Sequence, residues 1–227
     1  MYARVAAAQG FRCPARDLER GFHAAYRELF PSRFFGPSGL RTSEPRERRW
    51  WGIVVARSFA LAGCGTPGPA VIAAGLEAFS RGSAWRPCAG AVATLRLLKK
   101  RGLKLALVSN YDARLHRVVA ELGMRPLFDA VVVSSETGWA KPSPRIYRAA
   151  LEALGVAPAE ALMVGDRILE DVEGAREAGI AALLYDPRGL APGPGAVSDL
   201  RQVPARVAGL RLPCVFPPIA GGPAPPG

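Results

Sequence analysis

The chain has 227 residues, 49% of them hydrophobic, and a formal net charge of +11. That length and apolar content support a real core, enough for one domain with a substantial insertion, and exclude a disordered chain. No apolar run approaches the roughly 20 residues needed to cross a bilayer, which excludes a helical membrane span. The excess of positive charge raises the question of a polyanionic partner. Its cations are spread from Arg4 to Arg211 instead of lying on one basic face, so a nucleic-acid binder is disfavoured and an anionic small molecule is the better match.

At the N-terminus, residues 2–16 carry Arg4, Arg12 and Arg16 with no acid before Asp17, a faint transit-peptide pattern. Residues 1–8 read equally well as an ordinary helix, and the order of a secretory signal is missing. The expected location is therefore intracellular, cytoplasmic first, with mitochondrial or nuclear placement as alternatives. Cys13, Cys64, Cys88 and Cys214 lie far apart with no CxxC, so the expectation is reduced thiols, with neither a zinc site nor a disulfide framework.

Residues 14–83 read as helices. One stripe is Leu18, Phe22, Tyr26 and Leu29; a second is Trp51, Val54, Val55 and Phe59; a third is Val71, Ile72, Leu76 and Phe79. Breaks are expected at 31–39 and 63–69. The basic, aromatic run from Arg46 to Trp51 continues the second stripe, so the tryptophan pair belongs to a packed helix face. Past Pro87 the rhythm becomes helix then strand: helix 91–100, strand 104–109, helix 113–122, strand 130–134, helix 144–154, strand 161–164, a helix after it, and strand 180–184. Such alternation is the pattern of βαβ units on a parallel sheet, an α/β fold. A short helix at 200–208 precedes a Pro- and Gly-rich tail, 211–227, expected to be disordered.

Three stretches carry chemistry. The strand ending in Ser109 and Asn110 places a hydroxyl and an amide at the carboxyl edge of the sheet, where open α/β folds bind ligands. Lys141 lies between Gly138 and two prolines, Pro142 and Pro144, at a helix start, with its ammonium presented to an anion. The apolar strand stopped by Gly165 is followed by Asp166 and, five residues on, Asp171; hard oxygen ligands at that edge suit Mg²⁺. A solvated acidic turn with Asp166 as a helix N-cap is the other reading of this last stretch.

In this order and spacing, Leu107-Val108-Ser109-Asn110, Lys141-Pro142-Ser143-Pro144 and Gly165-Asp166 through Asp171 resemble the second, third and fourth motifs of the haloacid dehalogenase-like hydrolase superfamily. The resemblance covers about residues 1–210. It implies a Rossmann-like parallel-sheet core (84–210) with an inserted helical cap (14–83), entered through 1–13. It also implies a phosphatase-type site in which Ser109 holds the phosphoryl group, Lys141 neutralises nucleophile and phosphate, and Asp166 with Asp171 holds Mg²⁺ or orients its waters. Ser143 departs in a minor way, because relatives commonly carry Asp there. The larger departure is the first motif, a central strand ending Asp-x-Asp-x-Thr that supplies nucleophile and general acid/base; nothing before the cap matches it. The expectation is thus an N-terminally truncated hydrolase, inactive as written and lacking its central strand. A non-catalytic phosphate-binding or protein-interaction module is the alternative, and a basic nucleic-acid binder the third.

Overall fold

The computed structural model describes residues 2–35, 39–191 and 193–208. The expected disordered tail, 211–227, lies outside the described residues. The first half is helical: α1 Tyr2–Ala8, α2 Ala15–Phe35, α3 Glu44–Leu61 and α4 Pro69–Ala78. Helix α2 runs past the expected break at residue 31, so Pro31 costs the helix one backbone hydrogen bond without ending it. Ala6, Leu18, Val55, Phe59 and Val71 bury their side chains in one cluster, as the apolar stripes require. Helices α2 and α3 approach very closely, since a β-carbon on Gly21 would lie 2.2 Å from the carbonyl oxygen of Ser58.

The expectation of four separate thiols is corrected here. Cys13 and Cys64, 51 residues apart in sequence, form a disulfide with a Cα–Cα distance of 5.7 Å. Both sulfur-bearing residues border the α1–α4 apolar cluster, which brings together positions that sequence spacing alone leaves remote. Cys88 is an exposed free thiol.

The second half alternates. Helix α5 spans Ala91–Lys100, β1 Ala106–Ser109, α6 Arg114–Glu121, β2 Ala130–Val133, the single turn α7 Ser134–Thr137, and α8 Pro144–Leu154. Then come β3 Leu162–Gly165, α9 Gly174–Glu177, β4 Ala181–Tyr185, β5 Ala196–Val197 and α10 Val203–Ala208. Every ladder is parallel: Ala106 lies opposite Ala130, Leu162 opposite Ala181, and Leu184 opposite Ala196. This is a Rossmann-like α/β fold.

The strands form two sheets, β1-β2 and β3-β4-β5; among the described residues none pairs with both β1 and β3. The two sheets nevertheless share an apolar layer on each face. Ala106 and Val108 of β1, Val132 of β2, Met163 of β3 and Ala182 of β4 pack with Ile146 and Tyr147 of α8. On the other face Leu105, Leu162, Val164 and Leu183 pack with Leu98 and Val203. They therefore lie side by side with an open row between β1 and β3. Every residue of those two strands is only partly buried, whereas three of the four in β2 are buried. The carbonyl of Leu105 accepts from the amides of Asp129 and Ala130, at 2.8 and 3.3 Å. By strand alternation the carbonyl of Val108 then faces the open row.

Candidate phosphate site at the open sheet edge

Lys141 is fixed at both its backbone and its ammonium. The Asn110 amide clamps the backbone: Nδ2 donates to the Lys141 carbonyl at 2.9 Å, and the Lys141 amide donates to Oδ1 at 2.6 Å. Lys141 Nζ then donates to the Val108 carbonyl at 3.1 Å and to Asp171 Oδ1 at 2.6 Å. The ammonium thus occupies the mouth of the open row, where an edge carbonyl of β1 would otherwise lack a partner. The pair is largely buried, with side-chain exposures of 12% for Lys141 and 4% for Asp171.

Asp171 reaches this point because the chain after β3 is tightly wound. Ile168–Glu173 is a π-helical turn, closed by the Val172 amide donating to the Arg167 carbonyl at 3.2 Å. Asp171 Oδ2 accepts from the Arg167 amide at 3.0 Å. Gly165 is required here, since a β-carbon on it would lie 2.3 Å from Asp171 Cγ. Gly174 is equally constrained, because a β-carbon there would meet the Pro142 Cα at 2.7 Å. This close fit locks the lysine turn against the chain that carries Asp171. Ser143 is buried and accepts from the Arg145 amide at 3.4 Å, capping α8.

Of the residues singled out from sequence, Ser109, Asn110, Lys141 and Asp171 therefore come to one carboxyl edge. Asp166 follows Gly165 on the exposed turn beside them. The Asn110 amide is committed to Lys141 and to Glu170 Oε1, at 3.2 Å, so it positions the lysine instead of facing a ligand. Glu170 and Arg167 were not singled out. Glu170 is buried, accepts from Asn110, and has its own carbonyl taken by the Tyr147 hydroxyl. Arg167 stacks its guanidinium 4.9 Å above the Tyr26 ring of α2, joining the helical half to the acidic turn. Only their place inside the Asp166 to Asp171 stretch could have flagged them.

The helical half is also tied down beside Lys141. The Thr42 amide donates to the Gly138 carbonyl and the Ala140 amide to the Leu40 carbonyl, both at 2.9 Å. Buried Glu47 at the start of α3 accepts from Thr42 Oγ1 at 2.9 Å and Ser134 Oγ at 3.0 Å.

Lys141 pairs with Asp171, the Arg167 side chain lies 4.0 Å from Glu170 Oε2, and Asp166 adds a further acidic side chain beside them. A phosphate would be repelled from such a cluster unless a cation joined it. Among the described residues no three His, Cys, Asp or Glu side chains converge as a metal cage. The donor set nevertheless fits Mg²⁺, which is commonly held by one or two carboxylates and completes its octahedron with waters and phosphate oxygens.

Comparison with known proteins places the chain in a family and a fold. The haloacid dehalogenase-like hydrolase profile matches residues 40–179. The chain is 40% identical over 197 residues to human haloacid dehalogenase-like hydrolase domain-containing protein 3, covering 84% of this chain and 76% of the relative. It is 48% identical over 113 residues to the phosphoserine phosphatase of Thermus thermophilus, covering 49% of this chain and 45% of that one. Among solved structures, the HAD-hydrolase YfnB of Bacillus subtilis bound to magnesium superposes with a TM-score of 0.74 at 15% identity, covering 90% of this chain and 87% of that one. The L-2-haloacid dehalogenase of Xanthobacter autotrophicus gives 0.69 at 23% identity, covering 92% and 94%. At those identities the structural likeness speaks to the fold alone.

Proposed function

The chain belongs to the haloacid dehalogenase-like hydrolase family, and from that premise we propose that its sheet edge binds the phosphoryl group of a small phosphate ester. The observation that carries this reading is the Lys141 ammonium, clamped between the Val108 carbonyl and Asp171 Oδ1 at the end of β1. Lys141 supplies the positive charge and Ser109 a hydroxyl for a phosphoryl oxygen. Asn110 holds the lysine backbone, and Asp171 holds its head group. Asp166, exposed beside them, would take Mg²⁺ directly, with Asp171 acting on its waters; when bound, the ion supplies the charge that offsets the phosphate. Residues 14–83 act as the helical cap over the 84–210 core.

Hydrolysis needs more than this set. The carboxylates that the structure brings to Lys141 are already committed: both oxygens of Asp171 accept hydrogen bonds, and Glu170 is buried against Asn110. Neither is free to attack phosphorus or to shuttle a proton. The open row between β1 and β3 is where a further strand would bring such a carboxylate. Among the described residues the set therefore suffices for binding a phosphate, and turnover would need a carboxylate brought to that row.

Calorimetric titration with inorganic phosphate in the presence of Mg²⁺ tests the binding. A charge-assisted bond contributes about 1.5–3 kcal/mol, so Lys141→Gln should weaken phosphate by roughly tenfold or more, and Lys141→Arg should recover part of the loss. Omitting Mg²⁺ should weaken binding in the parent chain. Equal affinity of Lys141→Gln and the parent would refute the reading.

A further inference from the structure

A cavity of about 460 Å³ lies among α1, α2, α3, α4 and the chain entering α6, within the size range of small-molecule sites. Its walls are aromatic: Phe22, Trp51, Phe79, Trp85 and Tyr111. Trp85 stands edge-on to both Phe79 and Tyr111, with ring centroids at 5.8 and 6.0 Å. Trp51 lies 6.0 Å from Tyr111 on the other side. Tyr2 packs 4.3 Å from Phe79, in space that exists because Gly75 has no side chain; a β-carbon there would meet the Tyr2 ring at 3.1 Å.

The charge at this cavity argues against an ionic occupant. Arg114 is the cation in its wall, and Asp112, fully buried, neutralises it through two hydrogen bonds of 2.7 and 2.6 Å. A third bond, of 2.5 Å, goes to the Leu76 carbonyl. Glu19, exposed at the rim, repels an anion. Apart from Glu19, the polar side-chain atoms left for a ligand are neutral. The Tyr2 and Tyr111 phenols are kept protonated by burial, and the Tyr111 hydroxyl already donates to the Phe79 carbonyl at 3.3 Å, which leaves its lone pairs to accept from a ligand. Such a site suits a flat, uncharged ring with one hydroxyl or ester oxygen. Tyr111 is two residues after Ser109, so their Cα atoms are at most about 7 Å apart. The cavity wall and the phosphate edge thus share one short stretch of chain.

We propose that this cavity seats the alcohol portion of the phosphate ester, making the substrate class a monophosphate of an uncharged, ring-bearing alcohol. The inference rests on the phosphate reading of Lys141 and Ser109 given above. The test is calorimetry on the whole 227-residue chain with Mg²⁺, below its melting temperature. The probes are inorganic phosphate, 1-naphthol and 1-naphthyl phosphate, and the variants are Ala3→Phe, Trp85→Ala and Lys141→Gln. Ala3 lines the cavity, so its enlargement fills the lumen, whereas Trp85→Ala removes a wall.

The expected result is that 1-naphthol binds the parent, is weakened at least about tenfold by Ala3→Phe and by Trp85→Ala, and is weakened far less by Lys141→Gln. Phosphate should show the opposite pattern, and 1-naphthyl phosphate should bind more tightly than either and respond to all three substitutions. Unaltered 1-naphthol binding in both cavity variants, or none in the parent, overturns the cavity assignment. A naphthyl ester no tighter than phosphate overturns the substrate class. Phosphate binding indifferent to Lys141→Gln, with 1-naphthol still lost in Ala3→Phe, locates the failure in the phosphate reading instead.

Discussion

Gly165 sets the distance between β3 and the carboxylate that holds Lys141. A β-carbon there would overlap Asp171 Cγ and Oδ2, each at 2.3 Å, so Gly165→Ala must push the carboxylate away from the strand. Overpacking of this kind typically costs about 1–3 kcal/mol. The variant should melt at a lower temperature and bind phosphate more weakly than the parent, both read on one preparation by calorimetry; unchanged phosphate affinity would show that Asp171 does not set the lysine. The approach of Gly165, Lys141 and Asp171 was legible because their types and order are tied to local backbone geometry. The partners of Asn110 were not, since its contact with Lys141 spans 31 residues and forms only once β1 and the α8 turn are side by side. A lysine in a proline-rich turn also reads as surface charge, yet this one is 12% exposed and buried against Asp171. Its removal strands a buried carboxylate, an effect on the order of 3–5 kcal/mol for a fully buried pair.

At the scale of elements, the open row dominates. Strands β1 and β3 each present one unpaired edge to it among the described residues, and all eight of their residues are only partly buried. A central strand of about five or six residues, at roughly 1.5–3 kcal/mol per buried side chain, is comparable with a whole net stability of about 5–15 kcal/mol, even after the entropy of ordering it. The chain of these 227 residues should therefore be marginally stable and melt below about 55 °C. A cooperative calorimetric transition above that temperature would contradict the account. Helices α5 and α8 fall where their periodicity placed them, because each buries one apolar face and has a clear stop. The two-residue strand β5 carries no period to detect. The π-helical turn 168–173 breaks the 3.6-residue spacing on which a helix is read, so the expected helix after β3 is an α-helix only from Gly174.

For the molecule as a whole, buried phenols set the alkaline limit. Burial raises the Tyr2, Tyr111 and Tyr147 hydroxyls above the ordinary tyrosine value of 10.0, Tyr111 to about 12. A group raised on folding holds its proton more tightly in the native state, so its contribution is fully present below about pH 10 and lost as pH climbs towards 12. Tyrosinate absorbance should lag behind that of the denatured chain above pH 10 and rise together with unfolding; ordinary titration of all tyrosines in the folded protein would contradict this. On the reading proposed above, turnover requires a carboxylate in the open row. Losing a covalent nucleophile can remove a rate factor of about 10⁶, and a missing acid/base typically a further 10²- to 10⁴-fold, though coupled losses do not simply add. The most direct measurement is hydrolysis of a generic phosphomonoester with Mg²⁺ by this chain and by the same chain extended with an apolar strand ending Asp-x-Asp. Turnover only in the extended form, abolished there by Asp166→Ala, is the predicted result; turnover by the 227-residue chain itself, lost on Asp166→Ala, would contradict it.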